Sequence, residues 1–201
     1  GVYLCTPSSF FQPHYYTAMP DIGNIEPQST ALLIIDIQER LMPVIAEKET
    51  VFTNANILLK GAQILHLPVI VTEQYPKGLG KTCPEVALPD GQTVTEKVCF
   101  SCMLSDEVME QLRAAGAKSV ILAGAEAHIC VLKTALDALE QGFEVHVVAD
   151  AVSSRTLQNK QLGLERMRQS GAFIVSTEMI LFQLLHQAGT DTFKQISKLI
   201  K

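Results

Sequence analysis

Residues 119–142 read SVILAGAEAHICVLKTALDALEQG. The first six, SVILAG, form an apolar, β-branched run with the length of a buried strand. The last fourteen, ICVLKTALDALEQG, repeat their apolar residues at helical spacing and close on Gly142. A short turn joins the two and puts Cys130 at or just inside the start of a helix. Unpaired backbone N–H groups and the positive end of the helix dipole lie there. Both favour the thiolate, the nucleophilic form of cysteine. A strand, a tight turn and a helix bearing a thiol at its start is one half of a βαβ unit.

The same alternation runs along the chain on either side. ALLIID (31–36) is a nearly continuous apolar run ending on Asp36, followed by QERLMP, a helical turn stopped near Pro43. Val51, Ala55, Leu58, Leu59, Ala62 and Leu65 recur at helical spacing behind Thr50, a possible cap. LPVIVTE (67–73) is a second buried strand, and QYPKGLGKTCPE is a Gly- and Pro-rich loop. QTVTEK (92–97) reads as a strand ending on Lys97. SDEVMEQLRAAG (105–116) reads as a helix capped by Ser105. FEVHVVAD (143–150) and AFIVS (172–176) are further strands, separated by a helix over 157–170. Helical patterns over 178–188 and 192–200 close the chain. Strands alternating with helices predict a three-layer α/β/α domain around a doubly wound, six-stranded parallel sheet. It is expected over residues 31–201, behind an N-terminal extension over 1–30 that lies on the surface or against a partner subunit.

In such a sheet a ligand binds beyond the carboxyl ends of the strands, at the point where the strand order reverses. Asp36, Lys97 and Cys130 all fall at that edge. With the order 3-2-1-4-5-6, the first and fourth strands are neighbours and Asp36 lies beside Cys130. Each residue alone has a bland reading: a turn former, a solvated lysine, a small core thiol. A carboxylate, a cation and a thiol on one edge together point to nucleophilic catalysis. Nucleotide binding needs a Gly-rich phosphate turn. DIQERLMP has no glycine, and the fourth strand is followed by Gly124 alone.

A formal net charge of −5 argues against nucleic acid as the partner. No stretch reaches the ~20 apolar residues of a membrane span. The five cysteines are odd in number and lack a disulfide-framework spacing, which points to a reducing compartment. Cys99 and Cys102 have CxxC spacing, but no second ligand pair follows to complete a zinc site. Residues 1–30 contain no Lys or Arg and read as neither a signal nor a transit peptide.

The segments ALLIIDIQ, VTEQYPKGLG, TEKVCFS, GAEAHICVLKTALDALEQGFEVHVVADAVSSR and RMRQSGAF, in this order, resemble the isochorismatase-like cysteine hydrolase superfamily. Within it they are most similar to the isochorismatase-domain-containing proteins of eukaryotes and their bacterial relatives. The resemblance runs from about Ala31 to Lys201. It implies the isochorismatase-like fold and a catalytic triad of Asp36, Lys97 and Cys130. It also implies a cis peptide at Ala125–Glu126, with N–H groups of Glu126 or Ala127 and of Cys130 forming an oxyanion site. Assembly into a homo-oligomer, a dimer or larger, is a further implication.

Three departures narrow the choice. The nicotinamidase branch carries an Asp-x-His metal site after the second strand, where this chain has Glu73-Gln74-Tyr75. No metal or other cofactor is therefore expected. True isochorismatases tend to lack the cysteine, so Cys130 favours acyl chemistry. Ala127 replaces the Thr of a common GxxTxxC pattern. The reading is a hydrolase of a small amide-type C–N substrate, acting through a thioester on Cys130. Gln38, Tyr75, Phe100 and His128 are expected around the substrate, with Arg155 a weaker candidate. The alternative is a non-catalytic small-molecule-binding or scaffold protein. The expected compartment is cytoplasmic, with mitochondrial as the alternative.

Overall fold

The computed structural model describes residues 22–201. Six strands, β1 (Thr30–Ile35), β2 (Val69–Gln74), β3 (Val94–Lys97), β4 (Ser119–Ala125), β5 (Glu144–Ser153) and β6 (Phe173–Val175), form one sheet. All pairings are parallel and the order is β3-β2-β1-β4-β5-β6, as expected. Helices α1 (Lys48–Leu65), α2 (Pro76–Leu79), α3 (Asp106–Ala114), α4 (Leu132–Glu140), α5 (Leu157–Gln169), α6 (Thr177–Gln183) and α7 (Asp191–Ile200) fill the connections.

β1 is buried along its whole length, and the alternation of its side chains divides the core in two. Leu32 and Ile34 pack with α1, α6 and α7 on one face. Ala31, Leu33 and Ile35 pack with α3, α4 and α5 on the other. The strand order reverses between β1 and β4, where Ile35 pairs with Gly124. The site is built at that end of the sheet. Among the described residues no helix is long and apolar enough to cross a membrane.

Several expected boundaries shift. α1 begins at Lys48 behind Glu47, two residues before the expected cap Thr50. QERLMP closes one helical turn, with Met42 N–H donating to Gln38 O at 2.9 Å, but it does not stop at Pro43: a 3₁₀ turn continues over Met42–Val44. β5 runs on to Ser153 after a register shift opposite Leu122 and Gly124, so part of the expected loop is strand. α6 ends at Gln183, earlier than expected. Ser105 and Thr156 cap α3 and α5 through their hydroxyls. Of the N-terminal extension, residues 22–29 pack on the domain: Ile25 is buried, and the Gln183 amide donates to the Gly23 carbonyl. Residues 1–21 lie outside the described region.

Candidate active site

Asp36 is the first residue past β1. Its backbone turns into the left-handed region (φ 53°), and its side chain is fully buried. Oδ2 accepts a hydrogen bond from Lys97 Nζ at 2.7 Å, and Oδ1 accepts one from Thr72 Oγ1 at 2.7 Å. Lys97 ends β3, and its ammonium also donates to Gln74 Oε1 at 2.9 Å, Phe100 O at 3.1 Å and Cys99 O at 3.2 Å. Three protons thus serve four acceptors. Burial works most strongly and lowers the Lys97 pKa, but the charge and hydrogen bond of Asp36 together with the neighbouring Cys102 and Cys130 outweigh it, and the net shift is upward. The pair is a buried, hydrogen-bonded ion pair.

Two residues that the sequence did not single out hold this pair. Thr72 and Gln74 are two apart on β2 and so share a face of the sheet. Thr72 serves Asp36. Gln74 accepts from Lys97 and donates through Nε2 to Val98 O at 2.7 Å, which fixes the orientation of its amide. Glu73 lies between them, and its Oε1 accepts from Thr82 N at 2.6 Å and Thr82 Oγ1 at 2.8 Å. The Glu73 carboxylate therefore clasps the loop that carries Thr82. Among the described residues no three His, Cys, Asp or Glu side chains are grouped to hold a metal ion.

Cys130 lies across the switch point. The expected α-helical start is instead a π-helical turn, Ala127–Val131, that leads into α4. Val131 N–H reaches back to Glu126 O at 3.2 Å, one residue further than an α-helix spans. The peptide between Ala125 and Glu126 is cis. The first N–H groups of the turn, Ala127 and His128, have no acceptor within the helix.

The protonation state of Cys130 corrects the sequence reading. Burial and the nearby Asp36 charge push the thiol pKa up, and Lys97 only partly opposes them. The resting group is a thiol rather than a thiolate. A turn's dipole acts over its first residues and is outweighed here by the burial of Cys130, 6% exposed, near a carboxylate. Cys102 lies behind the same site. Its thiol is 3.8 Å from Thr72 Oγ1, its N–H donates to Thr134 Oγ1 at 3.0 Å, and burial pushes its pKa up to about 11.

Glycines set the distances between these parts. At Gly124 (φ 128°) an added Cβ would lie 2.0 Å from the Ile35 carbonyl oxygen. Only glycine lets β4 come this close to β1 beside Asp36. At Gly163, on α5, a Cβ would lie 2.9 Å from His128 Cα. This contact presses the helix directly on the cysteine turn. Neither approach shows in local sequence, because each depends on a distant element.

The remaining expected pocket residues divide. Tyr75, half exposed, lines a cleft of about 470 Å³ together with Pro76, Lys77, Val98, Cys99 and Leu104. The cleft reaches Lys97; neither Asp36 nor Cys130 forms its wall. Phe100 lies outside it, and its contribution to the site is its carbonyl. Gln38 is not a pocket residue. It is fully buried, and its amide is used on backbone: Nε2 donates to Gln74 O (3.0 Å) and Gly80 O (2.7 Å), and Oε1 accepts from Gln74 N–H (2.7 Å). His128 is held through Nδ1 against Ser154 Oγ at 2.8 Å. Arg155 donates from N and Nε to Glu126 Oε2, at 3.0 and 3.2 Å. His128 and Arg155 thus tie the cysteine turn to the end of β5.

The family model described as Isochorismatase domain matches residues 30–179. Isochorismatase domain-containing protein 2 of Danio rerio is 44% identical over 183 residues, 90% of this chain and 92% of the relative. The secreted isochorismatase effector Isc1 of Phytophthora sojae is 44% identical over 191 residues, 92% of this chain and 90% of the relative. Among solved structures, the MAR1 ribonuclease of Caenorhabditis elegans superposes with a TM-score of 0.83 at 38% identity, covering 88% of this chain and 92% of its own. With a matched domain, near full-length relatives and a shared fold, the chain belongs to the isochorismatase domain family.

Proposed function

We propose that this protein is a cysteine hydrolase that cleaves a small acyl C–N substrate without a metal. Family membership supports hydrolase activity in general. The observation that carries the finer reading is the buried Asp36–Lys97 ion pair at the end of β1 with the buried Cys130 thiol in the turn that follows the neighbouring β4. As Sγ attacks the carbonyl carbon, the thiol proton moves to Asp36. The nucleophile is made during attack, which fits a thiol that rests protonated. N–H groups of the Glu126–Cys130 turn receive the developing oxyanion. Asp36 then gives its proton to the departing nitrogen as the C–N bond breaks and a thioester forms. Water, deprotonated by Asp36, releases the acid and restores the thiol. Lys97 stays charged throughout and balances Asp36. The cleft by Tyr75 is the approach. We place the active form in a homo-oligomer and in the cytoplasm.

A screen of small amides, ureas and esters for ammonia or acid release, with Cys130→Ala as control, tests this. Turnover lost in the variant is expected; turnover kept in it overturns the reading. Two relatives define further arms. The Phytophthora sojae relative is called an isochorismatase effector, so isochorismate belongs in the screen. The Caenorhabditis elegans neighbour is called a ribonuclease, so a short RNA does too. The net charge of −5 gives RNA little electrostatic attraction.

A further inference from the structure

We propose that Thr72 is a positioning residue for Asp36, and that Cys102 supports it by donating to the Thr72 hydroxyl. The inference rests on the reading of Asp36 as the proton acceptor. A carboxylate has no proton to give, so the 2.7 Å contact is donated by Thr72 Oγ1. A hydroxyl has one proton. In the second contact of Thr72, at 3.8 Å, the Cys102 thiol must therefore be the donor. The result is a one-way chain, Cys102 S–H to Thr72 O–H to Asp36 Oδ1. Cys102 is fully buried and its N–H is anchored on Thr134, one turn beyond Cys130, so the chain is fixed to the cysteine helix.

The chain has a direct chemical consequence. A bond donated to the ionised carboxylate stabilises that form and occupies Oδ1. Lys97 occupies Oδ2 from β3. Cys130 faces the carboxylate from the π-helical turn, and Cys102 reaches it through Thr72. Glu73 and Glu126 are engaged elsewhere, with Thr82 and Arg155. Thr72 thus fixes the orientation in which the Asp36 carboxylate meets the thiol proton.

The test is the pH dependence of p-nitrophenyl acetate hydrolysis, read at the isosbestic wavelength, by wild type, Thr72→Val, Thr72→Ser and Cys130→Ala. Wild type is expected to show Cys130-dependent turnover with an acid limb in kcat/KM. Thr72→Val should move that limb up by about one pH unit and lower kcat about tenfold. Thr72→Ser should return both toward wild type. A merely structural role would lower the rate at every pH and leave the limb in place, and that result overturns the proposal. If circular dichroism shows Thr72→Val unfolded, Thr72→Ala is read in its place with the same expectation. Absence of Cys130-dependent turnover in wild type overturns the triad reading itself, and the positioning role falls with it.

Discussion

The two sides of the site are held together by different means. On the Asp36 side, β1, β2 and β3 meet in a closed polar network in which Thr72, Gln74 and two carbonyls saturate one buried ion pair. On the Cys130 side, a π-helical turn is held by shape, with Gly163 against it and the Glu126–Arg155 tie at its start. The first side depends on charge balance and tolerates no lost partner. The second depends on close approach and tolerates loss of the sulfur but not added bulk. In the proposed mechanism the first side takes up and returns a proton beside a fixed cation, while the second makes and breaks a covalent bond.

The largest break in this comparison is at their junction. Gly124→Ala would drive a methyl into the Ile35 carbonyl at a positive φ, and should cost more than about 4 kcal/mol in chemical denaturation. Next is Lys97→Met, which leaves the Asp36 carboxylate buried without its cation. A loss of about 3–5 kcal/mol is expected, against less than about 1.5 kcal/mol for Cys130→Ala. Equal losses in the two variants would remove the distinction between the sides.

The fold was legible because ALLIID, LPVIVTE and SVILAG are continuous apolar runs that only a doubly covered parallel strand explains. Asp36, Lys97 and Cys130 were placed on one edge because strand ends in a parallel sheet share an edge, whatever the details of packing. What holds them was not legible. Thr72 reads as an ordinary strand residue and Gln74 as the start of a loop until the β1–β2–β3 register sets Thr72 beside Asp36 and Gln74, the last residue of β2, opposite Lys97. Gln38 read as a polar loop residue facing a ligand, yet it satisfies the backbone of β2 and the following loop. The thiol's protonation turns on a balance between burial, Asp36 and Lys97 that a helix-start argument leaves out.

A smaller test concerns the shape-held side alone. Gly163→Ala sets a methyl against the backbone of Ala127 and His128. It should cost about 1–3 kcal/mol and slow Cys130 alkylation by iodoacetamide, while Ala substitutions at exposed α5 positions such as Leu162 do neither.

The smallest expected effect is on the pH dependence of stability, and both sides share it. Cys102 and Cys130 are raised above their ordinary 9.0, and Lys97 above 10.5. The folded chain holds these protons more tightly than the unfolded one. Their contribution is therefore full below about pH 9 and fades as pH rises. Tm should fall from about pH 9 upward, and fall less steeply in Cys130→Ala and Cys102→Ala. A wild-type Tm that is flat or rises over that range contradicts the assignment.

The central claim is that Cys130 carries the acyl group and Asp36 handles its proton. Intact-protein mass spectrometry after acid quench of a p-nitrophenyl acetate reaction tests it most directly. The account predicts one acetyl group on wild type, mapped to Cys130 by peptide analysis, and none at that site in Cys130→Ala. Acetylation mapped to another residue, or turnover undiminished in Cys130→Ala, would contradict it.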